Sequence, residues 1–222
     1  MNIKKVRMPL CLEWASLVTL TSGDDKLLHY KMMSSWCQEA DLGWPGRRMV
    51  GGNTSPCAMD SASSSARYAD VGFRPVFEVD DIDGLPEGIS LTVGTLFMNG
   101  QPVRAPATPM LHGDVVKYLP GATLEFREAI DDAAYQIRAI KVGDALIADR
   151  VLLSYISWED IVEAFGPMEP AATCKKSVLE ALLAENKENL ADPGDVYAQG
   201  YHDAIVDVMK KLGFSTNATY FD

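Results

Sequence analysis

After Pro9, the apolar residues Leu12, Trp14, Leu17 and Val18 recur at a mixed spacing that predicts a short helix. Gly23-Asp24-Asp25 marks a turn, and the stretch Leu27 to Cys37, holding Tyr30, Met32 and Trp36, predicts a strand. Positions 43 to 65 are rich in Gly and Ser, including Gly51-Gly52-Asn53 and Ser63-Ser64-Ser65, and predict loop. Val71 to Val79 resumes as a strand with Phe73 and Phe77 on one face; Pro75, which cannot donate to a ladder, confines it to a sheet edge.

The polar segment Asp80 to Gly88 reads as a hinge and domain boundary. Beyond it, strand-like runs alternate with turn dipeptides. Ile89 to Met98 is followed by Asn99-Gly100, a strong hairpin signal. Leu124 to Ile130 leads to Asp131-Asp132, Tyr135 to Val142 leads to Gly143-Asp144, and Ala145 to Ile156 completes the set. Tyr135, Ile137 and Ala139 alternate with Gln136 and Arg138 at period two, as a half-buried strand requires.

The last third switches to helical period. Ser157 and Asp160 form a capping pair for a helix from Trp158 to Phe165, closed by Gly166-Pro167. Thr173 caps a second helix carrying Val178, Leu179, Leu182 and Leu183. Asp192-Pro193 opens a third, whose stripe runs from Val196 through Tyr201, Ile205 and Met209 to Leu212. The fold class expected is α+β in three parts: residues 1–80, a small antiparallel β domain over 81–156, and a helical region over 157–222.

Composition narrows the function classes. No run of about 18 apolar residues is present, so no membrane-spanning segment is expected. Lys4, Lys5 and Arg7 precede no apolar core of signal-peptide length, which points to the cytoplasm. The four cysteines, Cys11, Cys37, Cys57 and Cys174, are scattered and read as reduced thiols, and the histidines His29, His112 and His202 lie far apart. Neither set has the spacing of a zinc site, so no metal or cofactor is expected.

Net charge is −11 and uneven. Residues 1–80 balance nine basic against nine acidic side chains; 81–166 hold six against thirteen (−7), and 167–222 five against nine (−4). That balance argues against direct nucleic-acid binding, which needs a basic face to displace counterions. It permits an acidic surface that docks on a basic groove. The carboxylate pairs Asp24-Asp25, Asp80-Asp81-Asp83 and Asp131-Asp132 all sit at turns, where Asp hydrogen-bonds its own backbone, and no nucleophile, phosphate-loop or metalloprotease motif accompanies them.

One spaced series has a family behind it. Arg47-Arg48-Met49-Val50-Gly51-Gly52-Asn53, Ala66-Arg67-Tyr68 and Val71-Gly72-Phe73-Arg74-Pro75-Val76 resemble the closing segments of the C-type-lectin-like fold of formylglycine-generating, sulfatase-modifying enzymes. The resemblance covers roughly residues 12–80. It implies a small C-type-lectin-like N-terminal domain in which Gly51 and Gly52 take positive φ near a strand crossing, Phe73 fills the core and Arg74 pairs with buried backbone or a carboxylate. The whole chain is also similar to accessory proteins of bacteriophages and mobile elements of Gram-positive gut bacteria.

The family's chemistry does not carry over residue by residue. Its copper site takes two cysteines, and Cys57 is the single one beside the Gly-Gly segment; a related three-histidine iron site would have His29 alone. A calcium-lectin cluster would have Asn53 and Asp60. What remains is a mixture of aromatic and arginine side chains, Trp44, Arg47, Arg48 and Tyr68 with Trp36, of the type that anchors protein interfaces. The expectation is therefore a non-enzymatic protein of a phage or mobile element that binds a host protein or ribonucleoprotein, with a defence inhibitor such as an anti-CRISPR protein as its concrete form. An oxidase using Cys57 and a small-ligand or glycan-binding module are the alternatives. The last apolar helical stripe leaves a dimer open.

Overall fold

A computed structural model describes residues 3–20, 33–41, 43–52, 58–80, 82, 84–107 and 114–168. Among these the architecture is mixed and mostly β: two sheets and two α-helices. The elements are β1 (Ile3–Arg7), α1 (Cys11–Leu20), β2 (Ser34–Asp41), β3 (Trp44–Gly51), β4 (Met59–Ser63), β5 (Val71–Phe73), β6 (Val76–Val79), β7 (Ser90–Met98) and β8 (Gln101–Pro102). They continue with β9 (Val116–Lys117), β10 (Leu124–Arg127), a 3₁₀ turn at Ala133–Tyr135, β11 (Ile137–Val142), β12 (Ala145–Ala148), β13 (Leu153–Ser154) and α2 (Trp158–Phe165).

One sheet has the order β1-β6-β12-β11-β7-β10, with β8 paired on β7, and is antiparallel throughout. The other has the order β4-β3-β2-β5-β13-β9, with parallel pairs at β2·β5 and β13·β9. Each sheet draws strands from both sides of residue 80. The polar segment 80–88 is thus the connection from β6 to β7 within one sheet.

The run Val71 to Val79 is two strands rather than one. The break falls at Arg74-Pro75, and β5 and β6 belong to different sheets. Ala145 to Ile156 divides in the same way, β12 pairing with β6 and β13 with β5. The two breaks lie side by side: Leu152 N–H donates to the Phe73 carbonyl and Ala148 N–H to that of Pro75, each at 2.9 Å. One long antiparallel pair therefore bends from sheet to sheet. Pro75 suits the bend because it has no N–H to place in a ladder. Alternation along the chain cannot reveal the change of sheet, since both halves remain buried.

Arg74 fills the bend. Its side chain is fully buried; Nε donates to Ser35 Oγ and Nη1 to the Ala148 carbonyl, both at 2.8 Å, while the guanidinium lies over Trp14 at 5.3 Å. The pairing with buried backbone expected of this residue is present.

Positions 43–65 are not loop throughout. β3 and β4 pair from Arg47↔Ser63 to Gly51↔Met59 and form the edge of the second sheet. Local propensity is low there, and tertiary contact overrides it. Gly51 shows how: a Cβ at this position would lie 2.6 Å from the Trp14 ring, so glycine lets α1 lie against β3. Positive φ is found at Gly52 (99°) and not at Gly51. Gly72 is likewise required, because a Cβ would overlap the Leu153 carbonyl of the adjacent strand.

The expected strand Leu27–Cys37 begins outside the described residues; β2 extends to Asp41 instead. Its polar residues Gln38 and Glu39 are buried, and the Glu39 side chain faces the start of α1. Gln38 N–H donates to the Pro9 carbonyl, and both Glu39 carboxylate oxygens accept from Cys11 N–H at 2.9 and 3.1 Å. A helix N-terminus offers unsatisfied donors and a positive dipole end, which explains a buried carboxylate there.

Two clusters make the core. One holds Trp36, Phe73, Phe77, Leu96, Leu146 and Ile161, from both sheets and α2. Phe165 of α2 stacks on Phe73 (5.3 Å) and also meets Phe126 (5.4 Å), so one residue joins the two sheets. The second cluster sets Trp14, Leu17 and Val18 of α1 against Cys37, Met49, Val76, Ile140 and Ile147. Double coverage explains why β11 alternates only to Ala139 and is buried on both faces from Ile140 onward.

The Asn99-Gly100 hairpin and the Trp158–Phe165 helix match the expectations, with φ values of 51° and 75° at the turn and a complete capping box at Ser157 and Asp160. The helices expected after Thr173 and Asp192 lie outside the described residues. So do Asn53, Cys57, Cys174 and all three histidines. Among the described residues no helix is long and apolar enough to cross a membrane.

Candidate functional site

Trp44 opens β3 and is 68% exposed, the most exposed of the large apolar side chains described. Beyond it along the strand, alternation gives the two faces different tasks. Val50 joins the main core and Arg48 points the same way, toward α2; Met49 enters the α1 cluster. Arg47 faces opposite to Arg48. Its Nε donates to Ser61 Oγ (3.0 Å) and its Nη2 to the Ser61 carbonyl, while Ser61 Oγ donates to Asp41 Oδ2 (2.6 Å). Arg47 thus pins the β3–β4 edge and does not join Arg48.

Arg48 stacks its guanidinium on the Trp158 indole, 4.1 Å from the ring centroid. Arg48 Nε and Trp158 Nε1 are both buried, and neither has a hydrogen-bond acceptor among the described residues. Burial lowers the Arg48 pKa from its ordinary value, and the charge of nearby Glu159 opposes that effect. Two adjacent donors without acceptors are unusual, because a buried unsatisfied N–H costs about 1–3 kcal/mol.

The surround is well fixed. Trp36 is fully buried, with Nε1 donating to the Ile156 carbonyl at 2.9 Å, and it packs on the Tyr68 ring at 6.1 Å. Tyr68 Oη accepts from Ser63 N–H at 3.3 Å. The segment between β4 and β5 is stitched to the first turn of α2: Ser64 Oγ donates to Glu159 Oε1 (2.8 Å), and Glu159 N–H donates to the Ser64 carbonyl (3.2 Å). Arg67 Nε and Nη2 meet the two Asp160 oxygens at 2.8 and 2.6 Å.

Of the four residues expected to meet a partner, Arg48 and Tyr68 therefore border the α2 N-terminus, Trp44 stands exposed at the end of the same strand, and Arg47 is committed elsewhere. Trp158 and Glu159 were not singled out by their sequence context beyond opening a helix. Their role depends on a contact more than a hundred positions away from β3.

Comparison with family models, curated proteins and solved structures returns no match. The site's meaning rests on its chemistry.

Among the described residues no three His, Cys, Asp or Glu side chains gather as metal ligands. Cys11 and Cys37 are free and buried; burial, with Cys37 and Glu39 beside it, pushes the Cys11 thiol well above its ordinary value. Asp132 caps the 3₁₀ turn by accepting from Ala134 N–H at 2.9 Å, the local turn role expected of that carboxylate pair.

Proposed function

We propose that this chain is a non-enzymatic binding protein that docks on a host protein or ribonucleoprotein through Trp44, Arg48, Tyr68 and Trp158. The observation that carries the reading is Trp44, 68% exposed at the start of β3, the strand whose Arg48 stacks on Trp158. An exposed tryptophan is an apolar anchor of the type that dominates binding energy. The C-type-lectin-like character of residues 12–80 belongs to this proposal. It is supported by the positions of its motif residues: Gly51 against Trp14, Gly72 against β13, Phe73 in the core, Arg74 at the bend and Arg67 on Asp160. The resemblance to phage and mobile-element proteins makes a component of a bacterial defence system the class of partner to test.

Tagged protein and the variants Trp44→Ala and Arg48→Leu, incubated with lysate of a Gram-positive gut bacterium at low and high salt, provide the test. A specific partner held by the wild type and lost by both variants supports the proposal. Identical capture by all three proteins overturns it.

A further inference from the structure

A second surface feature lies apart from this site. Behind the crossing of β12 into β13 is a cavity of about 140 Å³, bounded by the segment after β8, the 3₁₀ turn, β11 and the residues following β12. Its floor includes Ile137 and Leu152, each 2% exposed. Its charged lining consists of Arg104, Arg138, Arg150 and Asp149. Three of the chain's nine arginines thus converge on one small hollow of a protein whose net charge is −11. Arginine stays protonated throughout the accessible pH range, so with Asp149 ionised the lining carries two net positive charges.

The wall is rigid. Arg150 Nε and Nη2 engage Asp149 Oδ1 and Oδ2 at 2.8 and 2.9 Å, and its Nη1 donates to the Pro106 carbonyl. Asp149 N–H donates to the Arg138 carbonyl, and Ala105 N–H to that of Ala134, both at 2.9 Å, which ties the rim elements together. The Arg104 side chain is exposed and has no hydrogen bond or ion pair among the described residues; the exposed Arg138 side chain makes one among them, a 3.2 Å contact with Ser90 Oγ. Two exposed arginines therefore line a hollow whose third arginine is already held by a carboxylate.

We propose that this hollow binds a small dianionic oxyanion, namely phosphate or the phosphoryl head of a small metabolite, clasped between Arg104 and Arg138. Guanidinium forks match oxyanion geometry with paired N–H···O bonds, and two unbalanced positive charges suit a dianion. The hollow, about 140 Å³, has room for an oxyanion head.

The test uses the full chain in a buffer of fixed ionic strength with inorganic phosphate, glycerol phosphate, chloride or a short single-stranded oligonucleotide. Melting temperature and isothermal titration are the readouts. The expected result is a saturable rise in melting temperature with phosphate or glycerol phosphate and none with chloride. Arg104→Ala and Arg138→Ala each weaken phosphate binding by about ten- to a hundredfold. Because both side chains are exposed, the variants melt like the wild type when phosphate is absent. Chloride matching phosphate, or unchanged phosphate affinity in the double variant, overturns the proposal. So does oligonucleotide binding that depends on the two arginines while phosphate shows none.

Discussion

Arg67 grips Asp160 across 93 positions of sequence, Nε and Nη2 meeting the two carboxylate oxygens at 2.8 and 2.6 Å. The same carboxylate closes the capping box of α2, accepting from Ser157 N–H at 2.8 Å and Ser157 Oγ at 2.6 Å. One side chain therefore starts the helix and anchors it to the segment before β5. Desolvation raises the Asp160 pKa, but the hydrogen bonds from Arg67 and Ser157 outweigh it and hold the carboxyl below its ordinary value. A carboxylate with a depressed folded-state pKa contributes stability above its unfolded value and loses it as pH falls through the folded one. Asp160→Asn should cost about 1–3 kcal/mol at neutral pH, and its deficit relative to wild type should shrink on acidification below about pH 4. Urea unfolding across pH 2.5–7 checks both.

Glu39 has the opposite sign. Burial at the start of α1 raises its pKa, against the Cys11 N–H bonds that lower it. The folded state then binds more protons than the unfolded one between the ordinary carboxylate value and the raised value, so this residue's contribution falls as pH rises through that window. Glu39→Gln retains an acceptor for Cys11 N–H and removes the titration. The stability of wild type relative to Glu39→Gln should therefore decline as pH is raised from 4.5. A flat difference in denaturant midpoint between pH 4.5 and 8 would contradict the assignment.

Gly51→Ala should cost about 1–3 kcal/mol, because the added methyl meets the Trp14 ring at 2.6 Å. The cause can be separated from any general effect of alanine in β3. Combining Gly51→Ala with Trp14→Leu should show a favourable coupling of at least about 0.5 kcal/mol in a double-mutant cycle, since the smaller side chain yields space. Additive losses would place the cost elsewhere.

The two tryptophans that flank the candidate site should separate sharply. Trp36 is fully buried and hydrogen-bonded, so Trp36→Ala should lose about 3–5 kcal/mol. Trp44 is 68% exposed, and Trp44→Ala should stay within about 0.5 kcal/mol of wild type while removing partner binding. Thermal unfolding beside binding measurements distinguishes the two.

Arg48→Leu should leave stability unchanged or raise it by about 1 kcal/mol, since it removes a partly buried cation whose Nε has no acceptor among the described residues. Residues retained for binding commonly carry such a cost. A loss above about 1 kcal/mol in denaturant unfolding would show instead that the stack on Trp158 is structural.

Local signals were legible wherever short-range chemistry decides conformation. The Asn99-Gly100 turn, the Ser157–Asp160 box and the helix after Pro9 each follow from a few neighbouring residues, and each is present. The β3–β4 edge was not legible: Ser61, Ser63 and Gly51 weaken a strand in isolation, and only pairing with β2 and contact with Trp14 stabilise it. Arg48 and Tyr68 could be named from their types, whereas Trp158 joined them only through a contact spanning the chain.

The order of residues by itself determined the mixed α+β character, the turn and cap positions, the acidic balance and the apolar runs that become the core. Tertiary structure alone decided that the runs 71–79 and 145–156 each divide between two sheets, that Arg47 and Arg48 part to opposite faces, and that three distant arginines share a hollow. Propensity and periodicity report on neighbours within a few positions. Sheet membership and the burial of charge depend on which distant segment supplies the matching hydrogen bond.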